Sequence, residues 1–148
     1  MTRTTFATLA DHHVAASTWH VVDASKYELG RMAARIAEVL MGKHKALYTP
    51  HILVGDGVVV VNAASVLTTG RKTETRMHTR WTGYTGGLRT ASLGEDLARD
   101  PCWVIKRAVR RMLPKSRLAR TMLSRLKVYP GAEHAQQAQQ PRPLEFKI

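Results

Sequence analysis

Val58-Val59-Val60-Val61 is an unbroken run of four β-branched residues. A strand with one wet face alternates apolar and polar side chains. A continuous run needs cover on both faces, as in a parallel sheet flanked by helices. Val54-Gly55-Asp56-Gly57 before the run reads as a turn, and Asn62 ends it. Upstream, Trp19 to Ala24 (WHVVDA) reads as a short apolar strand. Between the two strands Leu29, Met32, Ala33, Ile36, Ala37 and Leu40 recur at helical spacing. Ser25 and Glu28 have the spacing of a capping box. Gly42 is a good helix stop, with Lys43, His44 and Lys45 just past it. Arg31 and Arg35, four apart, share the outer face. Strand, helix and buried strand together predict a βαβ unit with a right-handed crossover.

The chemistry points to the stretch from Pro101 to Ala132, which holds no acidic residue. It carries Lys106, Arg107, Arg110, Arg111, Lys115, Arg117, Arg120, Arg125 and Lys127. Val104, Ile105, Ala108, Val109, Met112 and Leu113, then Leu118, Met122, Leu123 and Leu126, form the apolar counterpart. Pro114 divides the stretch, because its ring breaks a helix interior and keeps the preceding residue extended. The pattern predicts a helix from about Trp103 to Met112, a turn at Leu113-Pro114-Lys115, and a helix from about Ser116 to Ser124 with Ser116 as cap. A solvated helix face normally mixes signs at i,i+4 spacing. A face of bases alone repels itself, and a polyanion relieves that repulsion while releasing counterions. Nucleic-acid contact is the leading reading, and a merely solvated face is the alternative.

Composition supports it. A 148-residue chain suits one domain, residues 1–148. Its net charge of +12 calls for a polyanion, nucleic acid before an anionic membrane surface. No apolar run approaches a membrane span. The single Cys102 excludes an internal disulfide, fits a reducing compartment, and reads as a small buried hydrophobe. The cytoplasm is the expected location. Residues 1–18 read as an extended arm without a secretory signal, and a short transit peptide is the alternative. His12 and His13, being adjacent, would point apart on a strand and suit a shared metal poorly.

Two further segments carry candidate contacts. Lys43, His44, Lys45, Tyr48 and His51 lie in a connecting stretch that reads equally as a polar loop or as a phosphate and ribose contact. Arg71 to Arg89 holds Arg71, Lys72, Arg76, Arg80 and Arg89 against Glu74 alone. Its centre, Trp81-Thr-Gly-Tyr84-Thr-Gly86-Gly87, reads as a hairpin or long turn, or as an RNA-facing loop with aromatics to stack. Ala64 to Leu67 is a possible single helical turn. Ser92 to Arg99 predicts a short helix capped by Ser92 and Glu95. Asp100-Pro101 opens the long basic helix. Leu126 to Tyr129 reads as a strand, and residues 132–148 as an irregular tail anchored by Phe146 and Ile148.

An enzyme on a parallel sheet would need a ligand loop at a strand's C-terminal end. Gly55-Asp-Gly57 has Val60 where a dinucleotide loop needs its third glycine, and it precedes a strand. Thr69-Gly70-Arg71-Lys72-Thr73 lacks both the Gly-Lys pair and the upstream glycine of a P-loop. A DNA-binding helix-turn-helix is a third reading, but bases dominate both helices, without the Asn, Gln and Ser of a recognition helix.

Read in order, Gly30-Arg31, Gly42-Lys-His-Lys45, Tyr48-Thr-Pro-His51, Gly55-Asp56, Val61-Asn-Ala63, Thr69-Gly70, Thr82-Gly83-Tyr84, Gly86-Gly87-Leu88, Met112-Leu-Pro-Lys115, Leu126-Lys-Val-Tyr129 and Gly131 with Glu133-His134 form a series. The series resembles the bacterial type of the large-subunit ribosomal protein L-thirteen family, over about residues 18 to 140. The resemblance implies a three-layer α/β/α fold around a small parallel sheet, without catalysis or cofactor. It implies a monomer within the ribosome, held by large-subunit rRNA and neighbouring ribosomal proteins, with no membrane or small-molecule substrate. It adds His134 to the candidate rRNA contacts. Four positions depart from the family pattern: Arg111, Ser116 and Ala119 stand where glycine is common, and Trp81 where a histidine usually precedes Thr-Gly.

Overall fold

The computed structural model of the chain describes residues 6–7 and 18–146. Strand β1 (Trp19–Asp23) and strand β2 (Gly57–Val61) pair in parallel, with Val22 opposite Val60. Helix α1 (Leu29–Met41) crosses between them. It buries Met32, Ala33, Ile36, Ala37 and Leu40 and leaves Arg31 and Arg35 exposed, as the spacing predicts. Gly42 ends it in the left-handed region at φ 82°, its N–H reaching the carbonyls of Glu38 and Val39, each at 3.0 Å.

The start of α1 corrects one expectation. Ser25 and Glu28 form no capping box. Asp23 caps a 3-10 turn over Ala24–Lys26, accepting from the Ser25 N–H at 3.1 Å. Glu28 bridges to Leu67 and is held extended, so the helix cannot begin until Leu29. Its carboxylate turns instead to Arg31 at 3.4 Å.

Strand β5 (Leu126–Val128) pairs in parallel with β2, and β6 (Arg142–Pro143) pairs in parallel with β1. Between β2 and β5 in sequence lies a hairpin of β3 (Met77–Trp81) and β4 (Leu88–Ser92), antiparallel, in a separate two-stranded sheet. The four-stranded order is β5-β2-β1-β6. The steps β1 to β2 and β2 to β5 run the same way across the sheet, so right-handed crossovers put both on one face. The step from β5 to β6 runs back, which assigns residues 129–141 to the other face. Val58 and Val60 point into the helical core. Val59 points away from it and is also fully buried, so the run is covered on both sides.

The remaining helices are α2 (Lys72–Thr75), α3 (Leu93–Arg99), α4 (Pro101–Met112) and α5 (Arg117–Ser124). Their caps follow the sequence. Ser92 and Glu95 exchange reciprocal bonds at 3.2 and 3.0 Å. Asp100 accepts from Trp103 N–H at 3.0 Å, so α4 starts at Pro101, as Asp100-Pro101 predicts and two residues before the Trp103 start that the apolar pattern gives. Leu113 is extended ahead of Pro114, and Ser116 accepts from Ala119 N–H at 3.3 Å. A 3-10 turn covers Ala63–Ser65, ahead of the helical turn expected over Ala64 to Leu67, because Val66 is extended and Leu67 bridges to Glu28. Ile105, Val109, Leu113 and Met122 join α1 and the sheet in the core. Cys102 packs half-buried against it, and burial raises its thiol above the ordinary value.

The tail is irregular between Tyr129 and Pro141, apart from a 3-10 turn at Gln137–Gln139, but then adds β6 to the sheet edge. Phe146 does anchor it: the ring lies 5.6 Å from Tyr27, and the N–H donates to the Tyr27 hydroxyl at 3.0 Å. Ile148, His12, His13 and most of the N-terminal arm lie outside the described residues. Of that arm, Ala7 is buried, with its N–H on Thr49 Oγ1 at 3.1 Å.

Candidate nucleic-acid interface

Helix α4 sets the geometry. With Val104, Ile105 and Val109 turned inward, Lys106 and Arg110 project to solvent, and Arg107 and Arg111 lie along the opposite flank. None of the nine cations between Pro101 and Ala132 forms an ion pair among the described residues. On one side of α4, Arg110, Lys115, Arg117 and Arg120 surround a cleft of about 300 Å³ at the Pro114 turn. All four are exposed.

On the other side is a larger groove of about 610 Å³ between α1, α2 and α4. Its cations are Arg31, Lys72, Arg76, Arg107 and Arg111; its one acid, Glu28, is already spent on Arg31. Its floor is apolar, with Leu93 and Val104 each 2% exposed and Met112 at the edge. The Arg107 guanidinium sits 4.8 Å over the Trp103 ring. Burial and the neighbouring Arg111 both lower its pKa. His78 also lines the groove and goes unsignalled in the sequence. Its Nδ1 lies 2.6 Å from the buried Asp96, which also holds Arg99 at 2.7 Å. That carboxylate is eighteen residues downstream, beyond any local pattern.

The segment read as a hairpin or an RNA-facing loop is a hairpin that presents exposed groups. Period-2 alternation sorts its faces. His78, Arg80, Arg89 and Ala91 share one, with Arg80 opposite Arg89. That face adjoins Arg99, Trp103 and Arg107 across a cleft of about 410 Å³. Met77, Trp81 and Leu88 share the other and stay exposed. At the tip, Tyr84 is 78% exposed, Trp81 Nε1 donates to the Tyr84 carbonyl, and Gly87 N–H closes on the same oxygen at 2.9 Å. Gly86 lies beside it in the tip. Arg71 stands exposed ahead of α2, and Lys72 donates to Thr69 Oγ1 at 2.6 Å.

The loop after α1 is tied down from within. Asp56, read as a turn residue, is 2% exposed. Its Oδ2 lies 2.9 Å from His44 Nε2 and 3.2 Å from His20 Nε2, and its Oδ1 takes Lys45 Nζ at 2.5 Å. Lys43, Tyr48 and His51 remain exposed on the same loop. Burial alone would raise the Asp56 carboxyl. Hydrogen bonds from His20, Lys45 and His44 outweigh it and hold the group below its ordinary value of 3.8. Such a group contributes stability above about pH 3.8 and loses it as pH falls through the lower folded value. Asp56→Asn is expected to cost about 2–3 kcal/mol at neutral pH, because its partners still reach water. The urea midpoint checks this, and the variant's stability should fall less steeply than the parent's below about pH 4.

The other candidates are scattered. Arg35 sits 2.9 Å from Glu38 on the outer face of α1. Arg125 is half-buried and donates to the Gly55 carbonyl at 2.7 Å. Lys127 points to solvent from β5. His134 lies 6.5 Å from the Tyr129 ring, and its Nδ1 is buried without a hydrogen-bond partner among the described residues.

A basic helix pair beside a parallel sheet is a geometry that sequence relatives can place. The family model for ribosomal protein L13 matches residues 17–135. The chain belongs to the ribosomal protein L13 family. It is similar to the large ribosomal subunit protein uL13 of Thermobifida fusca, 50% identical over 128 residues that cover 86% of each chain. That of Thermotoga petrophila is 52% identical over the same shares. That of Natranaerobius thermophilus is 48% identical over 143 residues, 97% of this chain and 99% of its own. Within this L13 chain, Arg111 lies in the groove and Trp81 at the hairpin tip, while Ser116 takes the cap position of α5.

Proposed function

We propose that this chain acts as one rRNA-binding unit of the large ribosomal subunit, clamping large-subunit rRNA and supporting subunit assembly and translation in the cytoplasm. Family membership makes it a structural, non-enzymatic ribosomal component, which sets aside the nucleotide-dependent enzyme. The observation that carries the rRNA reading is the acid-free helix pair, whose nine cations form no ion pair among the described residues. Apart from Arg107 over the Trp103 ring and Arg125 on the Gly55 carbonyl, they stand among like charges; against phosphates they release counterions. The clefts of about 300 and 610 Å³ lie on either side of α4, so folded RNA segments can be gripped from both sides. The exposed Trp81, Tyr84 and Tyr48 supply rings for bases or riboses, and readout rests on RNA shape and backbone. Neighbouring ribosomal proteins complete the surroundings of a monomer.

Filter binding to large-subunit rRNA at a series of salt concentrations tests this. If six to ten side chains meet phosphates, log affinity falls with log salt at a slope of about −4 to −9. A flat dependence would overturn the clamp.

A further inference from the structure

The groove between α1, α2 and α4 joins two chemistries that a phosphate-binding surface does not need together. Its rim holds Arg76, Arg107 and Arg111, and its floor is the buried pair Leu93 and Val104 with Met112 at the edge. A phosphodiester uses the rim and leaves the floor wet. Its volume of about 610 Å³ falls within the range of small-ligand sites, about 300–1,000 Å³. Unstacked bases of single-stranded RNA pack on apolar and guanidinium surfaces of this kind.

Gly30 is the second observation. It sits in the first turn of α1 and lines the groove. A Cβ built on it meets nothing within 4 Å. Glycine weakens a helix, and nothing among the described residues requires one there. The space it leaves opens into the groove. Resting on the rRNA-binding reading above, we infer that the groove receives one unstacked nucleotide of the bound RNA, its base on the Val104–Met112 floor and its phosphate on the Arg76, Arg107 and Arg111 rim. Arg107, seated over the Trp103 ring, faces that anion from the rim beside Arg111.

Two experiments test the insertion. The first is filter binding of the full chain and its Gly30→Leu variant to large-subunit rRNA. The leucine adds bulk at the groove and removes no cation. The expected result is an unlowered melting temperature, about tenfold weaker binding and an unchanged salt slope. In the second, Met112 is replaced by p-benzoylphenylalanine and irradiated in assembled large subunits. A crosslink to a single rRNA nucleotide supports the insertion; a crosslink to a ribosomal protein overturns it in favour of a peptide occupant. Equal binding by Gly30→Leu and the parent also overturns it, while leaving the clamp standing. Failure of the parent chain to bind rRNA at all removes both.

Discussion

Changing Arg110, Lys115, Arg117 and Arg120 together to glutamine is expected to weaken binding to large-subunit rRNA by about 10²–10³-fold near 150 mM salt. The four surround the cleft at the Pro114 turn, all exposed and none in an ion pair or hydrogen bond among the described residues. Each phosphate contact adds about −0.7 to −0.9 to the slope of log affinity against log salt. At about 150 mM that is roughly 0.6–0.7 log units per contact, or about 2.5 for four. The salt slope should therefore become shallower by about 3. The fold should be untouched, with stability changed by no more than about 0.5 kcal/mol. Filter binding at several salt concentrations, alongside thermal melts, separates the two effects. Parent-like affinity in a folded variant would move the RNA surface away from this turn.

Gly55→Ala is expected to destabilise the chain by about 3 kcal/mol or more. A Cβ at this position lands 1.8 Å from the Leu40 carbonyl oxygen and 2.4 Å from its carbon. Both are backbone atoms of α1, so no side chain can swing aside. Either the helix end or the entry to β2 must shift, and both are tied. Asp56 N–H donates to the Val39 carbonyl at 3.3 Å, and Arg125 donates to the carbonyl of Gly55 itself. Displacing this point loosens α1, β2 and the end of α5 at once. For a chain of this size 3 kcal/mol corresponds to roughly 6–12 °C in Tm. A melt within about 1 °C of the parent would show that the helix end and the strand entry separate freely.

The sequence by itself determined the elements whose signals are local. The four valines called for a strand covered on both faces. The apolar spacing of α1 named five of its buried residues, Met32, Ala33, Ile36, Ala37 and Leu40, though not Val39 or Met41, and Ser92, Asp100, Pro114 and Ser116 marked helix ends, because a cap bonds a backbone N–H about three residues away. The charge asymmetry was equally plain, since it is a sum that no fold can alter. What only the tertiary structure decided were pairings across long separations. Asp56 looked like a turn residue until His20, 36 positions away, and His44, 12 away, closed on it. Strand β6 is two residues of a Pro-bearing tail, and its extension is imposed by the open edge of β1 rather than by its own propensity. Whether each base is spent inside the chain or left for RNA also waited on the fold: Lys45 and Arg125 bond within, while Arg110, Lys115, Arg117 and Arg120 do not. The groove draws on α1, α2, α3 and α4. Periodicity reports which face of one element is apolar, and only packing reports which faces of different elements meet.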